Sequence, residues 1–224
     1  MPYRATVKTE ARKAATRERI VAGALDRVAT GGFAAAGIQQ TAARAAVAVG
    51  TVYRYFPSKA ELFAEVFRRA SERELEVVVE VSAPDGRSSQ ERIAAAVEAF
   101  CRRALAAPTL AYALIAEPVD ATARTQGEAA GLSLQKERLR LRRGYRDAFA
   151  AVLRDGVAAG ELRPHDERIV AAALVGALGE ALVGPLGEAG AGRTSHEALV
   201  ATLVQLCLDA LPTPTRSPER SLAR

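Results

Sequence analysis

The chain has 224 residues, 49% hydrophobic and 25% charged, which is long and apolar enough to bury a core and excludes disorder throughout. Long stretches rich in Ala, Leu, Arg and Glu, with no tryptophan, give the composition of an all-α protein. The net charge of +5 is uneven: residues 1–60 hold ten basic and three acidic side chains, whereas the remainder holds 21 and 23. A confined positive end of this kind suits either a polyanion such as the nucleic acid backbone or a merely solvated tail.

In chain order, residues 1–13 are expected to form a flexible basic arm. The basic stretch Arg4 to Arg19 then either adds phosphate affinity, reaches a minor groove or stays idle. A first helix is predicted over 14–29, because Ile20, Val21, Ala24, Leu25 and Val28 share one face, and Gly31-Gly32 should stop it. Two short helical segments follow, over 38–45 and 49–55. Only Ala46, Val47 and Ala48 separate them, a spacing that suits two helices meeting at an angle.

Ser58-Lys59-Ala60-Glu61 has capping-box spacing and opens a fourth helix over 59–81 that buries Leu62, Phe63, Val66 and Phe67. Pro84-Asp85-Gly86 marks the main internal boundary. Ser88 to Glu91 repeats the capping box ahead of Ile93, Val97, Phe100, Cys101, Ala104 and Leu105 on one face. Pro108 and Pro118 bracket a short helix through Tyr112 and Ile115. After a mobile-looking stretch around Gly127 and Gly131, a long helix carries Leu134 to Leu153 and ends within Gly156 to Pro164.

Two final helices are predicted, one from Asp166 to about Leu186 and one from Thr194 to Leu211, the latter opened by a Thr194 to Glu197 capping box. Both carry apolar stripes wider than one face, with Leu174, Leu178, Leu182, Leu199, Leu203 and Leu206 along them. Such stripes fit either a homodimer interface or the centre of a monomer core. The tail over 212–224 is rich in Pro, Ser and Arg and is expected to be disordered. Cys101 and Cys207 fall within apolar patterns and pack as small hydrophobes, so neither metal nor disulfide is indicated. No apolar signal core and no membrane-spanning stretch is expected, which leads to a cytoplasmic location.

The continuous run Gly31 to Leu62, GGFAAAGIQQTAARAAVAVGTVYRYFPSKAEL, resembles the N-terminal domain of the TetR family of bacterial repressors. The Gly32-Phe33 pair and the unbroken segment Gly50 to Lys59 carry the resemblance. Thr41, Ala46 and Ala48 depart from it, since the family usually has Ile or Leu, Gly, and Ser or Thr there, and Gly37 stands where a capping Thr is common. On residue chemistry alone, Val52 and Phe56 turn inward from a recognition helix starting at Val49. That leaves Thr51, Arg54 and Tyr55 outward, with Tyr53 to one side. Thr51 and Arg54 are the candidates for reading bases. Tyr53, Tyr55 and Lys59 suit phosphates, Gly50 permits close approach, and Gln39, Gln40 and Arg44 can reach the backbone or a flanking base.

The resemblance implies about nine helices: a helix-turn-helix domain over 14–60 and a helical effector-binding and dimerisation domain over 61–211. It further implies a palindromic double-stranded operator, an unknown small-molecule effector, a homodimer, and release of DNA when the effector binds. A cavity between helices would be lined by residues such as Phe100, Tyr112, Glu117, Arg138, Arg142, Tyr145 and Phe149. No cofactor is implied. His165 and His196 lie far apart with no catalytic or metal motif, and no Gly-rich phosphate cradle occurs, so an enzyme is the weakest alternative. A helical interaction protein without an effector would account for the stripes but not for the basic N-terminal domain.

Overall fold

The computed structural model describes residues 7–118, 128–187 and 195–213. Among these the chain is entirely helical, with ten helices. Helix α1 (Val7–Ala35) packs on α2 (Ile38–Arg44), α4 (Lys59–Val81) and α6 (Pro108–Ile115), while α3 (Val49–Tyr55) closes a small N-terminal domain. Helix α4 continues out of that domain and lies along α7 (Glu128–Ala158) and α5 (Ser89–Ala106). The remaining elements are α8 (Glu167–Ala181) against α7, the short α9 (Val183–Gly187) against α6, and α10 (His196–Asp209) against α5.

Helix α1 begins seven residues before its predicted start, so residues 7–13 form helix rather than a flexible arm; residues 1–6 lie outside the described residues. The Lys13–Glu10 pair at 3.0 Å is local support of the kind that extends an exposed alanine-rich helix. The predicted stop at Gly31-Gly32 is a kink: Gly32 adopts φ 74 and ψ 177, and the chain resumes helical conformation through Ala35. Ile20, Val21, Ala24, Val28 and Phe33 on α1 bury against Val52, Phe56, Leu62, Phe63, Val66 and Phe67.

An ion-pair cluster ties α1 to α4. Glu65, almost wholly buried, accepts from Arg17 at 2.9 Å and Arg69 at 2.9 Å and pairs with Arg68 at 2.5 Å, and Arg69 also bridges to Glu18. Burial pushes the Glu65 carboxyl up, but the hydrogen bonds from Arg17 and Arg69 outweigh it and hold the group below its ordinary value.

The Ser88–Glu91 capping box is complete, with both reciprocal bonds present. At α4, Ser58 caps the Glu61 amide at 3.2 Å, while the Glu61 carboxylate meets the Ser58 hydroxyl rather than the backbone. Helices α8 and α9 stand where one helix is predicted. Pro185 lacks an amide and crowds the carbonyl four residues back, so the helix breaks at Leu182. Ser195, not Thr194, caps α10 by accepting from the Ala198 amide at 3.1 Å; Thr194 lies outside the described residues. Of the expected mobile stretch, Gly127 lies outside the described residues and Gly131 is buried within α7. Pro212 and Thr213 are the described part of the expected disordered tail.

Candidate DNA-binding surface and effector cavity

Between α2 and α3 the chain turns over four residues, and Ala46 occupies the left-handed region at φ 53. Ala48 is extended ahead of α3 and offers no side-chain cap. Thr41 is fully buried on the inner face of α2 with its hydroxyl unpaired. The three departures from the family pattern therefore fall at a strained backbone position, an uncapped helix start and an unsatisfied core hydroxyl. Gly37 likewise gives α2 no side-chain cap. Its missing Cβ leaves room for the Gln40 side chain, whose Oε1 would stand 2.1 Å from such an atom.

Helix α3 turns Val52 and Phe56 into the core, with the Arg17 guanidinium over the Phe56 ring at 4.9 Å. Val49, Gly50, Tyr53 and Arg54 are exposed, and Thr51 and Tyr55 are half-buried. The expected order of the two tyrosines is thus reversed. Tyr55 follows Val52 by three residues and shares its inner shoulder, packing on the core beneath Arg54, whose guanidinium lies 5.6 Å from the ring centre. Tyr53 shares a face with Val49 and is 45% exposed.

Gln39, Gln40, Val49, Tyr53 and Lys59 line one open groove, walled by residues 34–38. Among the described residues nothing lies within 4 Å of where a Cβ of Gly50 would stand, so their packing does not require glycine there. Arg44, in the last turn of α2, is exposed but bound to Asp26 at 2.8 Å.

In the second domain, a small cavity of about 40 Å³ lies among α4, α5, α6 and α7. Of the seven residues expected there, Phe100 and Tyr145 line it, packed edge to face with centroids 5.1 Å apart. The others are elsewhere. Phe149 is buried in the core, and Tyr112 lies against Gly187 of α9. Arg138 and Arg142 line a separate open groove with Gln135 and Glu180, and Glu117 bonds backbone amides of the first domain.

The rest of the lining is apolar, from Ala104, Ala107, Leu110, Ala111, Leu114, Ile115 and Leu141, except for one ion pair. Arg103 meets Glu74 through two bonds of 2.5 and 2.8 Å, which raise the guanidinium's pKa. Burial and the Glu74 charge push the Tyr145 hydroxyl up, so it stays neutral. Sequence reasoning missed Arg103, although a signal exists: Phe100, Arg103, Ala104 and Ala107 follow helical i, i+3, i+4, i+7 spacing, placing a charge on an apolar stripe. Glu74 carries no comparable signal.

Four of the six stripe leucines, Leu174, Leu178, Leu182 and Leu203, are at most 4% exposed within the single chain and belong to its core. Leu199 is half-buried and Leu206 is 50% exposed. The outward face of α8 instead carries Ile169, 67% exposed, with Ala173, Gly176 and Ala177. By length and composition alone, Glu167–Gly187 is apolar enough to cross a membrane, where the sequence reading expected no such stretch. Its apolarity comes largely from Ile, Val and Leu residues, of which Leu174, Leu178, Leu182 and Leu186 are buried within the chain.

A three-helix reader with an exposed short helix, joined by a long helix to a second helical domain holding a cavity, defines a two-domain regulator of the helix-turn-helix class. Residues 20–66 match the profile of bacterial regulatory proteins of the tetR family, and residues 86–182 match a tetracyclin repressor-like C-terminal domain. The chain belongs to the tetR family.

It is 36% identical over 98 residues to the HTH-type transcriptional repressor KstR of Rhodococcus jostii, covering 44% of this chain and 45% of that protein. To KstR of Mycolicibacterium smegmatis it is 35% identical over 112 residues, 50% of this chain and 54% of that one. The chain thus spans about half the length of these curated relatives. Two solved structures share the fold. FadR of Bacillus subtilis in complex with stearoyl-CoA superposes with a TM-score of 0.69 at 20% identity, over 86% of this chain and 98% of that one. The fatty acid degradation regulator FadR of Bacillus halodurans superposes with a TM-score of 0.66 at 22% identity, over 86% and 94%.

Proposed function

We propose that this protein is a cytoplasmic, homodimeric repressor that holds a palindromic operator through α3 and releases it when a small molecule occupies the cavity. The observation that carries the reading is the outer face of α3. It presents Tyr53 and Arg54 to solvent around a glycine that the packing of the described residues does not require, beside a groove carrying Gln39, Gln40 and Lys59. A rod of that shape and chemistry fits a major groove, with Thr51 and Arg54 reading bases and Tyr53 and Lys59 on phosphates. Nothing in the arrangement calls for catalysis.

A second copy covers the outward faces of α8 and α10, because only 28% of the most apolar window in Glu167–Gly187 is buried in the single chain. Gly176 and Gly184 have open space where a Cβ would stand, which allows two helices to approach closely. The interface is then built on Ile169, Ala173, Gly176 and the exposed stripe residue Leu206 rather than on the four buried stripe leucines. Dimerisation sets the separation of the two α3 helices to match half-sites one turn apart or a multiple of it.

The effector has a largely apolar body that fills the cavity and a polar group that meets the Arg103–Glu74 pair or Tyr145. FadR of Bacillus subtilis, similar in fold, binds stearoyl-CoA, whose acyl tail suits such a lining. Gel filtration together with a titration against the DNA upstream of the protein's own gene tests the proposal. A dimer that binds this fragment in a salt-dependent way is expected, and a monomer indifferent to it overturns the reading.

A further inference from the structure

The C-terminal end of α6 stands between cavity and DNA face. One side of the helix supplies Leu110, Ala111, Leu114 and Ile115 to the cavity wall. Its carbonyls at Ala113 and Leu114 accept from the Arg138 guanidinium at 3.1 and 3.0 Å. Burial holds Arg138 below its ordinary pKa, and the Glu117 charge works against that shift.

Two residues past the helix, Glu117 is 7% exposed and crosses into the first domain. One carboxylate oxygen accepts from the Phe33 amide at 2.8 Å and the other from the Ala34 amide at 2.6 Å. These amides follow the kink at Gly32, so a carboxylate of the second domain caps a helical restart in the first. Gly32 is needed twice over, for its positive φ and because a Cβ would lie 2.9 Å from Glu117 Oε2.

Beyond the clasp, residues 34–38 wall the groove that holds Gln39, Tyr53 and Lys59. Phe33 itself stacks on Phe67 at 5.6 Å and meets Phe63 edge-on at 6.3 Å, both on the helix that carries Glu74 to the cavity. A buried carboxylate is costly unless it is hydrogen-bonded, and the two amides that satisfy Glu117 lie at the junction between ligand wall and DNA wall.

Resting on the repressor reading above, we propose that Glu117 is the positioning residue that transmits cavity occupancy to the DNA face. A ligand that pushes α6 outward withdraws the carboxylate from Phe33 and Ala34, the restart frays, and the groove wall loses its register. Coupling through this clasp is a differential contact: made in the DNA-binding state and lost in the liganded one.

The test uses the full-length protein and a tryptophan that fills the cavity from α5, Ala104→Trp, with Ala104→Phe where the larger ring prevents folding. Amide hydrogen exchange is measured without DNA. Exchange at Phe33 and Ala34 is expected to accelerate about tenfold or more in the cavity variant and in Glu117→Gln, and unchanged rates in the cavity variant overturn the proposal. With the upstream DNA fragment, Ala104→Trp is expected to weaken binding about tenfold in the wild-type background and less than about threefold in the Glu117→Gln background. Equal losses in both backgrounds remove Glu117 from the path and leave the repressor reading intact. A wild-type protein that ignores the fragment sinks the repressor reading instead, and the exchange rates still decide the clasp.

Discussion

The Arg44 guanidinium donates to the Asp26 carboxylate at 2.8 Å, so an arginine in the last turn of α2 is held by an acid of α1. The pairing holds Asp26 below its ordinary pKa and raises Arg44. With its charge offset, Arg44 is expected to add little to phosphate binding. Replacing Asp26 with Asn is expected to free it and steepen the dependence of log affinity on log salt by about 0.9 per subunit, as for one more neutralised phosphate. Arg44→Ala in the wild type should leave that slope nearly unchanged. A slope unmoved by Asp26→Asn would show that Arg44 does not reach DNA.

Lys59, at the first turn of α4 and on the groove, forms no ion pair among the described residues. Lys59→Ala is expected to flatten the same slope by about 0.9, measured on the same fragment. No change would remove Lys59 from the contact surface.

Gly50 separates folding from recognition. Because a Cβ there meets nothing, Gly50→Ala should leave the fold intact and stabilise α3 by about 0.5–1 kcal/mol, as alanine loses less chain entropy in a helix. Operator affinity should nonetheless fall, since the methyl stands on the face offered to DNA. Denaturant melts and a binding titration check the two halves, and unimpaired binding would show that α3 does not approach DNA at Gly50.

The α2-turn-α3 unit can be repaired in three independent ways. Ala46→Gly relieves a left-handed alanine, and a gain of about 1 kcal/mol is expected. Ala48→Ser supplies the missing cap for a similar gain of about 1 kcal/mol. Thr41→Val removes a buried, unpaired hydroxyl at nearly constant volume, with an expected gain of about 1–3 kcal/mol. Urea midpoints of the three variants decide, and a destabilised Thr41→Val would mean that its hydroxyl has a partner in solution.

Acid should loosen α1 from α4. The Glu65 carboxyl is held below its ordinary value of 4.5 in the folded chain, so the stabilisation from its arginine cluster is fully present above 4.5. It is lost as pH falls through the lower folded value, since the unfolded chain takes up the proton first. Glu65→Gln should lower the thermal midpoint near neutrality and make the variant's stability flatter below pH 4.5 than that of the wild type. Parallel pH profiles would count against the cluster as an acid-sensitive tie.

Much was legible in the sequence because local chemistry fixes it. The capping serines, the prolines, and the 3.6-residue spacing of Ile20 to Val28 and of Leu62 to Phe67 mark helices without reference to anything distant. The unbroken Gly50 to Lys59 run identified the reader for the same reason. Even the weak points at Thr41, Ala46 and Ala48 were visible, since each breaks a rule about its own residue.

Tertiary packing decided the rest. Apolar spacing alone does not say whether Leu174 and Leu203 meet their own chain or a copy, and burial placed them inside. It does not say which tyrosine of α3 faces out, because that depends on where α1 and α4 press. Glu117 illustrates the limit best: its sequence surroundings suggest a polar group near a cavity, yet its partners are amides more than eighty positions earlier. Those amides follow the kink at Gly32, and the packing of α6 on α1 brings the carboxylate to them.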